Sequence, residues 1–148
     1  NGAETFSIIL ESHLPLDFVI IILGTTDAKE MLNKTVEKIT AGMKKLITIV
    51  KNNRTLKDTN PPKILIVVPP IVKEEAEFAS KLFKGATQKT KELIDSYLDL
   101  SKSEGVYYLN PTKEVKVDEL EGVHLDNENQ MKLGKLIANK ISEIEKEV

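Results

Sequence analysis

The sequence predicts an α/β fold: a parallel sheet with helices on both faces. Three observations carry that reading. Two short runs, Asp17–Leu23 and Lys63–Val68, are dense in Val, Ile and Leu and stop abruptly at turn-forming residues. The stretches between and after them carry apolar residues at helical spacing. Strand-like and helix-like segments also alternate along the chain, the order that crossover connections between parallel strands require.

The first element is a short amphipathic helix from about Glu4 to Ser12, with Phe6, Ile9, Leu10 and His13 at helical spacing and Pro15 as its stop. His13, at the helix end, is read as structural. The strand Asp17–Leu23 follows, six of its residues apolar in succession and four of those β-branched. A run of this kind predicts a strand buried on both faces. It ends in the polar turn Gly24-Thr25-Thr26-Asp27. Asn33 is then placed to cap a helix running to about Lys51, whose inward stripe is Val36, Ile39, Met43, Leu46, Ile47 and Val50. Asn52–Pro62 is a loop by composition.

Lys63–Val68 is the second strand, closed by Pro69-Pro70, which cannot donate ladder hydrogen bonds. Residues Glu74–Phe83 are predicted helical. A longer helix runs from about Ala86 to Ser103, burying Leu93, Ile94, Tyr97 and Leu100, and Gly105 ends it. Val106–Leu109 is a third, short strand, and Asn110–Val123 is a loop carrying the turn Glu121-Gly122-Val123-His124. Asp126 or Asn127 caps a terminal helix with Leu133, Leu136, Ile137, Ile141 and Ile144 on one face.

Composition narrows the function. At 148 residues and 41% hydrophobic, the chain has the apolar content for one core, so a single domain is expected over its whole length. A net charge of −2 with interspersed Lys and Glu leaves no basic stripe for nucleic acid. The absence of Cys excludes disulfides and cysteine nucleophiles, and with two His no zinc constellation forms at familiar spacings. No apolar run is long enough for a membrane span, no leader pattern is present, and the cytoplasm is favoured. The chain opens Asn1-Gly2 without an initiator Met, so an upstream segment is expected. The tripeptides Asn33-Lys34-Thr35 and Asn53-Arg54-Thr55 match the N-glycosylation pattern and are read as chance matches in a Lys/Asn/Thr-rich chain.

In open α/β sheets, ligands bind beyond the carboxyl ends of the strands. Two polar turns are expected at that edge, Gly24–Asp27 and Glu121–His124. In the second, a carboxylate three residues before a His can hold the imidazole tautomer and stabilise the imidazolium, as a hydrolase base requires.

These two turns also carry a resemblance. Leu23-Gly24-Thr25-Thr26-Asp27 resembles the third block, Gly-x-Asn-Asp, of the SGNH (GDSL) hydrolases, and Glu121-Gly122-Val123-His124-Leu125 resembles their last block, Asp-x-x-His. Asn1-Gly2, Glu11–Asp17, Ile66–Ile71 and the run from Tyr97 to Leu109 are similar to the arylesterase-like branch, and Lys132-Leu133-Gly134 to the family's closing helix. The resemblance implies a three-layer flavodoxin-like domain hydrolysing small acyl esters without a cofactor. It makes His124 the catalytic base and Glu121 the orienting acid, with Gly24, Thr25 and Thr26 at the oxyanion and substrate. Glu121 stands where the family has Asp, and Thr26 where it has the Asn that donates to the oxyanion.

The family's nucleophile, a Ser in an opening Gly-Asp-Ser block, has no counterpart here. The serines are Ser7, Ser12, Ser80, Ser96, Ser101, Ser103 and Ser142, all in or at the ends of predicted helices rather than on a strand-end elbow. The resemblance therefore implies that the first two strands of the family fold are missing from this chain. Asp17–Leu23 becomes an uncovered edge, expected to pair with a second copy or with a complementing chain. Two other readings are weighed beside this one. A degenerate, non-catalytic SGNH-like binding or scaffold domain is motivated by Thr26 and Glu121. A generic flavodoxin-like or response-regulator-like module is disfavoured, because no acidic cluster follows a first strand and no Gly-rich phosphate turn is visible.

Overall fold

A computed structural model of the chain describes residues 2–53 and 60–147. Its sheet has three parallel strands, β1 (Phe18–Ile22), β2 (Lys63–Val67) and β3 (Tyr107–Leu109), in the spatial order β1-β2-β3. Four α-helices accompany them: α1 (Gly2–Ser12), α2 (Val36–Asn52), α3 (Ala86–Glu104) and α4 (Asn127–Lys146).

Register decides which side chains share a layer. Ile20 lies opposite Leu65 and Ile22 opposite Val67, while Leu65 and Val67 face Tyr107 and Leu109 across the next pair. Because side chains alternate along a strand, this splits the sheet into two apolar faces. Val19, Ile21, Ile64, Ile66 and Val68 pack with Leu10 of α1, the α2 stripe, and Leu93, Tyr97 and Leu100 of α3. Leu65 and Val67 pack on the other face with Val115 and Leu133, backed by Leu136 and Ile137 of α4.

The expected burial of Asp17–Leu23 on both faces is corrected. β2 is sandwiched, with Leu65 and Val67 fully buried, but their partners on β1, Ile20 and Ile22, are each 37% exposed. The α4 layer covers β2 and β3 and leaves this side of β1 open. The outer edge of β1 has no strand beside it among the described residues.

The α2 stripe is as the spacing predicts, with Val36, Ile39, Met43, Leu46, Ile47 and Val50 all buried. Its cap is not Asn33, however. Thr35 occupies the cap in extended conformation and accepts from the Lys38 amide, while Asn33 closes a preceding 3-10 turn at φ 43°. Of the two glycosylation-like tripeptides, the first thus has its Thr hydroxyl engaged as a cap. In the second, Asn53 is buried, and its Arg54 and Thr55, like most of the expected loop Asn52–Pro62, lie outside the described residues. His13 is exposed at the end of α1, its ring Nδ1 2.9 Å from the Ile9 carbonyl.

Residues Glu74–Phe83 do not form the expected α-helix. They make a series of turns with one 3-10 segment, Ala79–Lys81. The spacing of Ala76, Ala79 and Phe83 mimics a helix face, and all three are buried together with Ala28, Val72, Ala86 and Val123. The segment leading into these turns is tied to other elements. The Lys73 amide donates to Gly122, the Val72 and Glu74 amides donate to the hydroxyls of Thr90 and Thr87, and the Thr87 hydroxyl donates to the Val72 carbonyl. The Glu74 carboxylate in turn accepts from the Thr87 amide in the first turn of α3, where negative charge is favoured.

The closing elements are as read. Gly105 ends α3 at φ 62°, and Asp126 caps α4, accepting from the Asn129 amide at 2.7 Å. No described helix is long and apolar enough to cross a membrane.

Candidate active site

The turn after β1 begins at Gly24, whose φ of 132° is a region that side-chain-bearing residues rarely adopt. A Cβ at this position would lie 2.9 Å from Leu93 Cδ1 and 3.0 Å from the Tyr97 hydroxyl, so the backbone here presses directly onto α3. Tyr97 also donates from its hydroxyl to the Leu23 carbonyl at 2.9 Å, satisfying the last acceptor of the strand end. Burial, followed by the nearby Asp27 carboxylate, pushes the Tyr97 phenol above its ordinary pKa, so it remains a donor. Beyond Gly24 the chain coils into the 3-10 turn Thr26–Ala28, the Ala28 amide donating back to Gly24 and Thr25 and the Lys29 amide to Thr26. Asp27 is taken up in an ion pair with Lys34.

The second turn is organised by carboxylates. Asp118 accepts from the amides of Leu120 and Glu121 through one side-chain oxygen, each at 2.9 Å, and its own amide donates to the His124 carbonyl at 2.8 Å. Glu121 then reaches forward. Its Oε2 accepts from the His124 amide at 2.6 Å and from the Val123 amide at 3.2 Å, and its Oε1 is hydrogen-bonded to His124 Nδ1. Partial burial would by itself raise the Glu121 pKa. The amide and ring of His124 and the Val123 amide outweigh it and hold the carboxyl below the ordinary glutamate value. An ionised carboxylate only accepts, so the Nδ1 nitrogen carries the proton and Nε2 is left as the basic nitrogen. Gly122, at φ 84°, lets this turn sit flush on residues 73–79: a Cβ there would lie 2.4 Å from the Lys73 carbonyl oxygen.

The two turns meet across one open cleft of about 330 Å³. Thr25, Thr26 and Lys29 line it from the first turn, and Val123, His124 and Leu125 from the second. Phe78 and Phe83 close one side, and Ile22, Pro70, Gln130 and Leu133 complete the wall. The His124 side chain is 76% exposed, with the Phe78 ring 6.5 Å from its own. Thr25, Thr26 and His124 are therefore brought together. Glu121 stands behind His124, and Gly24 is buried beneath the turn rather than on the cleft wall. No serine lines the cleft among the described residues. A second cavity, of about 290 Å³, lies between α1 and α2 with Tyr97 and the Asp27–Lys34 pair on its wall. It holds neither His124 nor Thr26.

No protein-family model and no curated protein matches this sequence. Solved structures do. A carbohydrate acetylesterase from Sinorhizobium meliloti superposes with a TM-score of 0.88 at 34% identity, over 97% of this chain and 68% of its own. The M. smegmatis aryl esterase, in its inhibitor-bound form, gives a TM-score of 0.87 at 33% identity with the same coverage, 97% and 68%. The chain belongs to the SGNH hydrolases. An acetylxylan esterase from Geobacillus stearothermophilus, at 13% identity and a TM-score of 0.62, shares the fold.

Within this SGNH chain, three participants escaped the sequence reading. Asp118 shapes the His124 turn, and the pattern Asp118-Glu119-Leu120-Glu121 is a legible Asx-turn signal. Lys29 and Phe78 line the cleft without belonging to either motif. Only their distance from Thr26 and His124 in sequence could have pointed to them, and for Phe78 that distance says nothing.

Proposed function

We propose that this chain is the base-bearing part of an SGNH-type esterase that hydrolyses small acyl esters. The observation that carries the reading is the Glu121 carboxylate bonded to His124 Nδ1, in a cleft shared with Thr25 and Thr26. In this reading His124 Nε2 takes the proton of an attacking serine hydroxyl and later returns it to the leaving alcohol. Glu121 fixes the tautomer and stabilises the imidazolium while remaining ionised. The Gly24–Thr26 turn faces the oxyanion, with the Thr26 hydroxyl as a shorter donor than the Asn amide of the family motif. The cleft volume sits at the low end of the usual range for ligand sites, which favours a short acyl group.

The nucleophile is supplied from outside these 148 residues. The open edge of β1, with Ile20 and Ile22 half-covered, supports entry of an additional strand there, from a second copy or from a complementing chain that carries the serine. Light scattering of the purified chain tests the edge: a stable, partnerless monomer overturns this part of the proposal.

The catalytic reading is tested on the protein joined to a Gly-Asp-Ser segment. Hydrolysis of p-nitrophenyl acetate is expected, with His124→Ala reducing kcat/KM by about 10³-fold or more and Glu121→Gln by a smaller factor of about 10² or more. Thr26 at the Asn position favours one competing reading, a binding domain without catalysis. Ligand binding with no turnover in the joined protein would select it.

A further inference from the structure

Lys29 has a distinctive place in the cleft. It is the single Lys or Arg on the wall, and no Asp or Glu lines that wall among the described residues. Its neighbour Lys34 is neutralised by Asp27, whereas the Lys29 ammonium forms no ion pair among the described residues and lies 5.6 Å from the centroid of the Phe83 ring. That ring is buried, so the ammonium lies beside a fixed apolar wall. The backbone presenting it is pinned on both sides. The Lys29 amide donates to Thr26, closing one 3-10 turn, and the next amide, of Glu30, donates to the Leu82 carbonyl at 3.0 Å. The cleft therefore offers a cation without a counter-ion among the described residues, in the same lining as His124 and the apolar Val123, Leu125 and Leu133.

We infer that Lys29 makes this cleft selective for esters carrying a carboxylate, such as half-esters of short dicarboxylic acids. The inference rests on the esterase reading and names its substrate class. A carboxylate on the acyl or alcohol part meets the ammonium in a charge-assisted hydrogen bond, while the ester carbonyl lies toward His124 and Thr26. A neutral ester of the same length leaves the cation unpaired and gains only apolar contact. The cleft volume of about 330 Å³ limits the acid to a few carbons.

Binding to the chain itself tests this without requiring turnover. Amide chemical shifts of Thr26, Lys29 and His124 are followed during titration with monomethyl succinate and, separately, dimethyl succinate, at low salt. The half-ester is expected to bind about tenfold more tightly, the advantage of a hydrogen bond between charged groups. Lys29→Met, which keeps an unbranched apolar stem over Phe83, is expected to abolish that preference and leave the affinity for the diester unchanged. Lys29→Gln is expected to do the same with a polar head, and Lys81→Met, outside the cleft, to retain it. Equal affinities in the unaltered chain, or a preference that survives both Lys29 variants, overturns the inference while leaving the esterase reading intact. If neither ester shifts the cleft amides, the inference falls, and turnover in the protein joined to the Gly-Asp-Ser segment decides the esterase reading separately.

Discussion

The two turns that meet across the cleft are built by different physics. The Gly24 turn is held by packing: a glycine pressed onto Leu93, Tyr97 and Pro69, with one tyrosine hydroxyl closing the strand end. The His124 turn is held by two carboxylates, Asp118 and Glu121, which between them engage four backbone amides. One wall of the site is therefore held by packing and a single hydroxyl, and the other adds a network of ionisable groups to the close fit of Gly122 on residues 73–79. The difference assigns rigidity to the Gly24 side and responsiveness to pH to the His124 side.

The largest expected effect separates the two glycines. Gly122→Ala sets a Cβ against the Lys73 carbonyl, a backbone atom that cannot swing aside, and should cost about 3 kcal/mol from overpacking and backbone strain. Gly24→Ala meets the ends of the Leu93 and Tyr97 side chains, which can yield by a few tenths of an ångström, and about 2 kcal/mol is expected. Urea unfolding of both variants checks the order, and a larger loss at Gly24 would show that the His124 turn depends on its carboxylates more than on the fit of Gly122.

Tyr97→Phe is a smaller change confined to the packed wall. It removes the donor to the Leu23 carbonyl and should destabilise the fold by about 1 kcal/mol, with the His124 turn unaltered in amide chemical shifts.

The gentlest test is pH. Glu121 has its folded pKa lowered, so its contribution is fully present above the unfolded glutamate value and is lost as pH falls through the folded one. Hydrogen-exchange protection at the Val123 and His124 amides should therefore decline below the ordinary glutamate range, while protection at Ala28 persists. Equal loss at both turns would show that they respond as one unit.

Much of this architecture is legible in the sequence where local pattern and tertiary packing agree. The α2 stripe is one case, since every residue at the helical spacing finds α1, α3 or the sheet beneath it. The two polar turns are another, because strand ends in a parallel sheet converge on one side whatever the intervening loops do. Legibility fails where the decision is made at a distance. Phe18–Ile22 and Ile64–Val67 are nearly equivalent as text, yet one is half-open and the other fully buried, because the α4 layer covers β2 and β3 only. The periodicity of Ala76, Ala79 and Phe83 describes a buried face correctly and misreports its backbone, which runs in turns after a segment tied to Thr87, Thr90 and Gly122. Asn33 and Thr35 are both good cap residues two positions apart, and the preceding 3-10 turn, which consumes Asn33, is invisible to propensity. Lys29 shows the same limit at the site: its role depends on Phe83, 54 positions away by subtraction of the two residue numbers.

The placement of Tyr97 also gives the molecule an optical handle. The chain contains no Trp and three Tyr, so its near-ultraviolet signal comes from those phenols together with the weaker Phe rings. Tyr107 and Tyr108 are partly buried on the short strand β3, whereas Tyr97 is sealed in the core with its hydroxyl tied to the end of β1. Loosening of the Gly24 turn would alter the solvation and hydrogen bonding of that one phenol. Second-derivative absorbance therefore reads the floor of the Gly24 turn directly, with Tyr97→Phe as the blank that assigns the band.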